Sequence, residues 1–378
     1  MPALHQFVPT LDPGAIGSHV LEIQRCLRQA GWSSEIFAEH VRSPYEGLAH
    51  PFTEYGRSRP AGDADIVVYH AAIGSSVADW LLSRRPSNLV IDYHNITPPA
   101  FYEGWEPAVA YGLAWGRAQL RHLARRARVG LADSAFNATE LAEAGCRRTA
   151  VLPILIPPEA LQGAPDGELV DRLRRGPGTR WLFVGRISPN KRQHLLVAAL
   201  AAHRRAFDPD ATLALVGGVA SERYAAAIGG FAADLGVAPA VTVTGAVSDA
   251  ARNAYYATAD VFVCLSAHEG FCAPLLEAWH HDVPVVAHAA AAVPETLGRA
   301  GVLLAGTDAP TVAATVERVV GDGRLADALR AAGRARLEEL SIERARTRLR
   351  ELAAELAGAG DERPELAAEL VRRARTVR

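Results

Sequence analysis

The chain has 378 residues, 49% of them hydrophobic, which is enough for two domains that each bury a core. Its formal net charge is −2 and its pI is about 6.7, which excludes the global positive field that attracts nucleic acid. No apolar stretch approaches the roughly 20 residues of a membrane span, and the N-terminus lacks a signal-peptide pattern, so we expect a soluble protein.

The four cysteines show no spacing typical of a metal site. Cys264 falls in an apolar run that reads as a buried strand, so reduced thiols are expected, as in cytoplasmic proteins. The composition, rich in Ala and Arg, is typical of a high-GC bacterial source.

Strand and helix patterns alternate through the first half of the chain. A helical stripe follows Gly14 and ends at Gly31, and the short apolar runs at 36–38, 65–70, 89–94 and 129–133 read as core strands. Such alternation predicts a parallel sheet with helices on both faces, whose ligands gather at the carboxyl ends of the strands.

Polar or glycine-containing segments lie at the predicted strand ends. The loop from Gly14 to Gly17 has either of two roles, a close approach of the backbone to a ligand or an ordinary tight turn. His94 ends a strand, where it either faces a ligand cleft or hydrogen-bonds its own loop. Asp133 and Ser134 precede a helical pattern, and a capping role is expected for them.

Two further features of this half bear on function. Asp63 and Asp65 form an Asp-x-Asp pattern but have no third ligand nearby in sequence, so we predict no catalytic metal. One side of a predicted helix carries a basic stripe made of Arg117, Arg121, Arg125 and Arg128. The stripe is either a solvated face or a surface that binds an acceptor or an anionic membrane.

A proline-rich connector at 151–159 marks the predicted domain boundary. We therefore predict domains at 1–157 and 158–340, followed by C-terminal helices at 341–378. Within that last part, the segment 342–356 is expected to cross back to the first domain. Leu366, Leu370 and Val371 either pack a final helix on the chain, which is expected, or mediate self-association.

A second alternating series fills the next part of the chain. The strand at 180–184 ends in Gly185, and Arg186 and Lys191 follow at the same predicted sheet edge. This pair of cations suits a diphosphate, because arginine offers a bidentate fork and lysine a compact charge. The alternative is a strand exit with cations that merely face solvent.

The strand at 261–264 leads into His-Glu-Gly-Phe-Cys-Ala-Pro-Leu-Leu-Glu, in which Glu269 lies in a turn and Glu277 inside the following helix. Backbone N–H groups at such a turn, with the positive helix end, attract an anion. The two carboxylates are suited to accept hydrogen bonds from hydroxyls of a sugar or a ribose.

Glu269, seven residues and Glu277, together with Arg186 and Lys191, resemble the family 4 retaining glycosyltransferases. The resemblance implies the GT-B fold class, α/β with two Rossmann-like doubly wound domains facing across a cleft. The first domain would bind the acceptor and the second the nucleotide sugar, UDP- or GDP-linked, with no cofactor and no metal. Front-face displacement would retain the anomeric configuration.

The resemblance also implies roles for single residues. Arg186 and Lys191 would offset charge on the departing diphosphate, and His94 would line the reacting face. Glu269 would hold the donor sugar and Glu277 would accept hydrogen bonds from the ribose. Donor-binding positions would complete the site; they are Gly17, Gly185, Gly270, Phe271 and Cys272.

Several alternatives stay open at this point. The family usually has Gly where Cys272 stands, so Cys272 adds a side chain at the donor site. A nucleotide-sugar 2-epimerase, or a nucleotide-sugar binding protein without catalysis, shares the two-lobed plan. The donor base, the sugar and the acceptor (glycan, lipid-linked or small natural product) are undetermined, and contact with a membrane surface is an open possibility.

Overall fold

The computed structural model describes residues 3–57, 62, 64–157 and 162–358. The chain divides into two compact units. Unit 1 comprises Met1–Ile96, Tyr111–Ile156 and Ile342–Arg378, and unit 2 comprises Thr97–Ala110 and Pro157–Ser341. Residues 97–110, which lie inside the predicted first domain, therefore group with unit 2.

Unit 1 is built on a parallel sheet of seven strands in the order β3-β2-β1-β4-β5-β6-β7. These strands are β1 (Leu4–Leu11), β2 (Ile36–Val41), β3 (His50–Pro51), β4 (Ile66–Ala71), β5 (Leu89–Tyr93), β6 (Val129–Ala132) and β7 (Thr149–Val151). The helices of this part of the chain are α1 (Ala15–Gln29), α2 (Ser76–Arg84), α3 (Pro107–Ala124), α4 (Ala135–Glu143) and α13 (Ile342–Gly358). The strand order reverses between β1 and β4.

The return of the chain to unit 1 is made by α13, whose apolar face packs into the unit 1 core. Leu349, Leu352 and Leu356 are buried in one cluster with residues of α1, β1, β4, β5 and β6. Each buried leucine contributes about 1.5–3 kcal/mol relative to an exposed one. An ion pair between Arg346 and Glu22 at 2.6 Å adds a polar contact between α13 and α1. The predicted helix near Leu366, Leu370 and Val371 lies outside the described residues.

Unit 2 is built on a second parallel sheet, with six strands in the order β10-β9-β8-β11-β12-β13. These strands are β8 (Arg180–Val184), β9 (Thr212–Val216), β10 (Val241–Val243), β11 (Val261–Cys264), β12 (Val285–His288) and β13 (Val302–Leu304). Its helices are α5 (Gly167–Arg174), α6 (Gln193–Ala206), α7 (Glu222–Asp234), α8 (Asp249–Thr258), α9 (Pro274–His280), α10 (Val293–Leu297), α11 (Ala309–Gly321) and α12 (Gly323–Glu339). The predicted fold class, with two Rossmann-like doubly wound sheets, is confirmed.

Short polar side chains begin many of these helices. Each accepts a hydrogen bond from a backbone N–H of the first turn, which satisfies a donor that has no partner within the helix. The caps of this kind are Ser75, Ser134, Asp166, Ser221, Ser248, Asp308 and Asp322. The predicted capping role is thus correct for Ser134, whereas Asp133 is engaged elsewhere.

The first strand, β1, was not predicted, although it lies next to the point where the order of its sheet reverses. Its sequence, Leu-His-Gln-Phe-Val-Pro-Thr-Leu, interrupts the apolar run with three polar residues and a proline, which normally argues against a central strand. The ladder with β4 ends at Phe7, and the N–H groups of the even-numbered residues Leu4 and Gln6 bond on the β2 side. Pro9, an odd-numbered residue, therefore removes no sheet hydrogen bond.

A loop was predicted from Gly14 to Gly17, but α1 already begins at Ala15. Gly17 therefore lies in the first turn of the helix. A Cβ at Gly17 would come within 1.9 Å of the backbone oxygen of Asp12 and 3.2 Å of the Tyr45 ring. Glycine is required here by a close approach of the chain to itself.

Replacing Gly17 by alanine is expected to destabilise unit 1 by about 1–3 kcal/mol, because the backbone oxygen must move to admit the methyl group. Chemical denaturation measures the loss. Gly229→Ala is the matched control, since a Cβ at this glycine of α7 meets nothing within 4 Å. The control is expected to gain stability from helix propensity. Equal stability of the Gly17→Ala variant and wild type would refute the packing argument.

Candidate active site

The site predicted in the second half of the chain forms where the strand order of the unit 2 sheet reverses. β8 and β11 are neighbours at that point, and the loops that follow them both leave the sheet at its carboxyl edge. In doubly wound sheets, ligands bind in the crevice outside such a reversal. The two loops concerned are 185–192, after β8, and 265–273, after β11.

The loop after β8 begins at a glycine that has a structural reason to be glycine. Gly185 has a φ of +149°, which side chains rarely adopt, and a Cβ there would lie 3.2 Å from the Phe183 ring. The Arg186 side chain is exposed, while its backbone oxygen accepts a hydrogen bond from Gln193 Nε2 at 2.8 Å. The loop then turns through a short 3₁₀ helix, Pro189–Lys191.

Two of the predicted catalytic residues are in direct contact. Lys191 Nζ lies 2.6 Å from Glu269 Oε2, and the two side chains are only 15% and 10% exposed. Lys191 is also the only lysine in the chain, where the other 39 basic residues are arginines. A compact ammonium is therefore held at the switch point by a carboxylate of the neighbouring loop.

Asn190 connects the two loops and was missed by the sequence analysis. Its backbone oxygen accepts from Ala267 N–H at 2.9 Å, and its side-chain amide donates to the backbone oxygen of His268 at 3.4 Å. Its Oδ1 accepts from the hydroxyls of Ser188 and Tyr102. These bonds join the loop that carries Lys191 to the loop that carries Glu269, and only the position of Asn190 beside a predicted cation could have indicated this role.

The second loop carries Cys272, which is predicted to add a side chain at the donor site. Cys272 has a φ of +69°, in the left-handed region that favours glycine, consistent with the glycine usual in the family. Its side chain is buried, with its sulfur 3.9 Å from the sulfur of Cys264. Phe271 is buried beside it, and Gly270 is partly exposed.

Glu277 lies in the first turn of α9 and carries an unused acceptor. Its Oε2 is buried and has no hydrogen-bond partner among the described residues, although Arg252 Nε lies 3.6 Å away. Burial raises the pKa of Glu277, and the charge of Arg252 opposes this shift. An unsatisfied buried acceptor is costly, so a ligand hydroxyl would find a favourable partner here.

In unit 1, His94 is part of a buried hydrogen-bond network. Its side chain is 0% exposed; Nδ1 lies 3.0 Å from Asp133 Oδ1, and Nε2 lies 2.9 Å from His70 Nδ1. Two roles are considered for His94, facing a ligand cleft and stabilising its own loop by hydrogen bonds. The contacts favour the hydrogen-bonded, stabilising role. The expected place on the reacting face is not supported by a side chain enclosed in this way.

The partners fix the protons of this network. Gln6 Nε2 donates to the backbone oxygen of Val20, so Gln6 Oε1 must accept the Nε2 proton of His70. His70 Nδ1 is then free to accept the Nε2 proton of His94, while the Nδ1 proton of His94 goes to Asp133. His94 is therefore an imidazolium, with a proton on each ring nitrogen.

The pKa values agree with this assignment. Burial acts to lower the pKa of His94, but the carboxylates of Asp133 and Asp92 outweigh it and raise the pKa to about 9. Burial lowers the pKa of His70 well below its usual value, which keeps that ring neutral. Burial also acts to raise the pKa of Asp92, but its histidine neighbours, His94 first, hold it well below its usual range.

The stability of the protein should fall at alkaline pH because of His94. Its pKa is higher in the folded state than the unfolded value of about 6.5, so its contribution is complete below about pH 6.5 and lost as the pH rises through about 9. Urea unfolding should show a loss on the order of 2 kcal/mol between about pH 7 and about pH 9.5. His94→Gln, which keeps an N–H for Asp133, should be less stable at neutral pH and nearly flat over that interval. A wild-type profile as flat as that of the variant would contradict the assignment.

Two groups of described residues bring possible metal ligands together, and their atoms lie within 4.8 Å of one another in each group. The first is His19, His70, Asp92 and His94. In it, His19 Nδ1 accepts from Leu155 N–H, so the proton of His19 is on Nε2, toward Asp92. The coplanar rings of His70 and His94 share a direct hydrogen bond. The histidine ring nitrogens of this group are thus engaged in hydrogen bonds, whereas Asp92 Oδ1 is buried with no hydrogen-bond partner among the described residues.

The second group of possible ligands is Cys264, Glu269 and Cys272, in the loop after β11. Of the Asp-x-Asp pattern, Asp63 lies outside the described residues, and Asp65 accepts a hydrogen bond from Gly62 N–H at 3.0 Å, which stabilises the entry to β4.

The predicted basic helix is shorter than expected. α3 ends at Ala124, so Arg125 and Arg128 lie beyond it. Arg117 pairs with Glu140 at 3.0 Å, and Arg128 donates to the backbone oxygen of Leu356. The stripe is thus reduced by contacts within unit 1, although Arg121 and Arg125 remain exposed. In the part of the chain that the structure describes, no helix is long and apolar enough to span a membrane.

Residues 178–322 match the family model described as glycosyl transferases group 1. The chain is also 36% identical, over 181 residues, to the GDP-mannose-dependent alpha-(1-6)-phosphatidylinositol monomannoside mannosyltransferase of Mycolicibacterium smegmatis. The protein of that name from Mycobacterium tuberculosis is 36% identical over 180 residues. Each alignment covers 45% of this chain and 46% of the relative, so the chain matches about half the length of these curated relatives.

Solved structures share the fold over nearly the whole chain. Sucrose-phosphate synthase from Thermosynechococcus elongatus aligns with a TM-score of 0.75 and 19% identity, covering 95% of this chain and all of that one. Anabaena HepE in complex with UDP-glucose aligns with a TM-score of 0.70 and 18% identity, over 94% of this chain and 100% of its own. WaaG, a glycosyltransferase involved in lipopolysaccharide biosynthesis, gives 0.67 and 14%, over 94% and 100%. These likenesses support the GT-B fold class.

Proposed function

Because residues 178–322 form a glycosyl transferases group 1 domain, we propose that this chain transfers a hexosyl group from a nucleoside-diphosphate sugar to an acceptor hydroxyl. The observation that carries the proposal is the contact between Lys191 and Glu269 at the switch point of the unit 2 sheet. It joins a cation suited to phosphate with a carboxylate suited to sugar hydroxyls.

The donor is proposed to be GDP-mannose, because the relatives that are 36% identical are named GDP-mannose-dependent mannosyltransferases. Lys191, with the exposed Arg186, would bind the diphosphate. The Oε2 of Glu277, which has no hydrogen bond and lies 3.6 Å from Arg252 Nε, supports a hydrogen bond from a ribose hydroxyl, and Glu269 would accept from the sugar. Backbone N–H groups of Gly270 and Phe271 would approach the donor.

In the proposed mechanism, the acceptor oxygen bonds to the anomeric carbon on the face from which the diphosphate leaves, so the configuration is retained. The bond from that carbon to the phosphate oxygen breaks, and the departing oxygen takes the proton of the acceptor hydroxyl. Lys191 and Arg186 stabilise the charge that grows on the diphosphate, which is the main electrostatic contribution. We propose that this supply of positive charge makes added metal and cofactor unnecessary.

The acceptor is proposed to be lipid-linked, since the relatives are named for a phosphatidylinositol monomannoside. Such an acceptor requires contact with a membrane surface, and the exposed Arg121 and Arg125 are suited to anionic headgroups. Four free, buried cysteines are in keeping with a location at the cytoplasmic side of that membrane.

The test is a thermal-shift panel of nucleoside diphosphates without added metal, followed by turnover with the matching sugar. A ligand that binds only the folded state raises the melting temperature, and GDP is expected to do so more than UDP. Release of GDP from GDP-mannose should depend on a glycolipid acceptor in vesicles. Release without any acceptor would indicate an epimerase or hydrolase, and binding without turnover on any acceptor would indicate a binding protein.

A further inference from the structure

Two cysteine side chains meet beside the candidate donor site. Cys264 is the last residue of β11, and Cys272 lies two residues before α9. Their sulfur atoms are 3.9 Å apart, and both residues are buried and free. Glu269 lies between them in sequence, and its carboxylate is within 4.8 Å of both sulfurs. The thiol pair is thus part of the loop that carries the proposed sugar ligand.

The two cysteines differ in how firmly the fold holds them. β11 pairs with β8 on one side and β12 on the other, and Cys264, at the carboxyl end of the strand, is held by its pairing with Ala287 of β12. Cys272 is in an irregular loop with a φ of +69°, a conformation that costs a non-glycine residue about 1–2 kcal/mol. A force that draws the two sulfurs together would therefore move Cys272 and its loop rather than Cys264.

We propose that Cys264 and Cys272 form a reversible disulfide on exposure to a peroxide, and that this bond withdraws the donor loop from its binding geometry. The sulfurs must approach from 3.9 Å to about 2 Å, the length of the bond. The loop 265–271 then shifts toward β11, and Glu269 is drawn away from Lys191. The loss of transfer that would follow rests on the function proposed above.

The chemistry balances with hydrogen peroxide as the oxidant. The Cys264 thiolate attacks one peroxide oxygen, so a sulfenic acid forms and hydroxide leaves; the Cys272 thiol then attacks that sulfur, the disulfide forms and water leaves. In sum, two thiols and one peroxide give one disulfide and two waters. The hydrogen bond with Cys272 lowers the pKa of Cys264 against burial, which raises it. The same hydrogen bond and burial both raise the pKa of Cys272 well above its usual value, so Cys264 is the attacking group.

The other two cysteines provide internal controls. Cys26 contacts the backbone oxygen of Arg346, and Cys146 that of Arg148. Burial raises the pKa of both thiols, so neither is activated. Trypsin, which cleaves after basic residues, separates the cysteines usefully for analysis. Cys264 and Cys272 lie in one tryptic peptide, 253–299, whereas Cys26 and Cys146 lie in two others.

The experiment treats the full chain with hydrogen peroxide and analyses tryptic peptides without reduction. The expected product is the peptide 253–299 lighter by two hydrogen atoms, restored by dithiothreitol. The oxidised protein should bind GDP about tenfold more weakly. Because Lys191 is the only lysine, reductive ¹³C-methylation labels one side chain besides the N-terminus, and its NMR signal should shift on oxidation as Glu269 moves away.

Matched variants separate the possible outcomes. In Cys264→Ser, peroxide should change neither the GDP affinity nor the Lys191 signal relative to the untreated variant, whereas Cys26→Ser should respond as wild type does. Oxygen added to peptide 253–299, or no change in it, would overturn the proposal, as would a disulfide that leaves the Lys191 signal unmoved. If the reduced protein binds no nucleotide, the proposed function fails, and the peptide mass and the Lys191 signal still decide on the disulfide.

Discussion

Lys191→Ala is expected to lower kcat/KM for transfer by about 10²–10³-fold, which corresponds to about 2.7–4 kcal/mol of lost transition-state stabilisation. The ammonium is only 15% exposed and is held by Glu269 at 2.6 Å, so it is positioned before the diphosphate charge develops. Lys191 would contact the diphosphate in the bound donor as well, but its contribution increases as the negative charge grows, and that increase affects kcat more than KM. Steady-state kinetics with saturating acceptor measures the effect.

Lys191→Arg should fail to restore activity, although it keeps the positive charge. A planar guanidinium is larger and directs its donors in a fixed fork, whereas the ammonium is a compact point charge. The composition of the chain is consistent with this requirement, because lysine occurs nowhere else among 40 basic residues. Arg205→Ala, which removes an exposed charge from α6, is the control and should leave kcat/KM unchanged. Full activity of the Lys191→Arg variant would show that any cation suffices.

The sequence predicted the fold and the second-unit site for the same reason. Parallel strands that are buried on both faces have nearly continuous apolar sequences. The residues that follow such runs must lie together at the carboxyl edge of the sheet. Gly185, Lys191 and Glu269 could therefore be placed together from their positions after β8 and β11. The contact between Lys191 and Glu269 itself required side-chain geometry that no spacing encodes.

The role of His94 depended on residues that are remote in the sequence. Its environment is set by His70, Asp92 and Asp133, which come from β4, β5 and the end of β6, and only the fold brings these together. From the sequence alone, Asp133 was expected to cap a helix, and His94 was left between a ligand-facing role and a role in its own loop. β1 was missed because it contains polar residues such as His5 and Gln6, which are buried by contacts with residues that are distant in the sequence. Buried polar networks of this kind carry no periodicity in the sequence.

Glu269→Gln is expected to lower kcat/KM by about 10²-fold, for two reasons. The amide retains one acceptor for a sugar hydroxyl but loses the negative charge that holds Lys191. The loop position should be preserved, because Asn190 and the hydrogen bond from Ala292 N–H to the Glu269 oxygen hold its backbone. Equal melting temperatures of variant and wild type, within about 2 °C, would verify this.

The double variant Lys191→Ala/Glu269→Gln distinguishes a shared role from two separate ones. Residues in contact are not additive, so the double variant should lose far less than the product of the two single losses, with a coupling energy of about 0.5–3 kcal/mol. Arg186→Ala combined with Glu269→Gln is the matched cycle, because no contact joins those side chains in the described residues, and it should be nearly additive. Additive losses for Lys191 and Glu269 would mean that the carboxylate acts on the sugar alone. Their 2.6 Å contact would then matter only in the absence of donor.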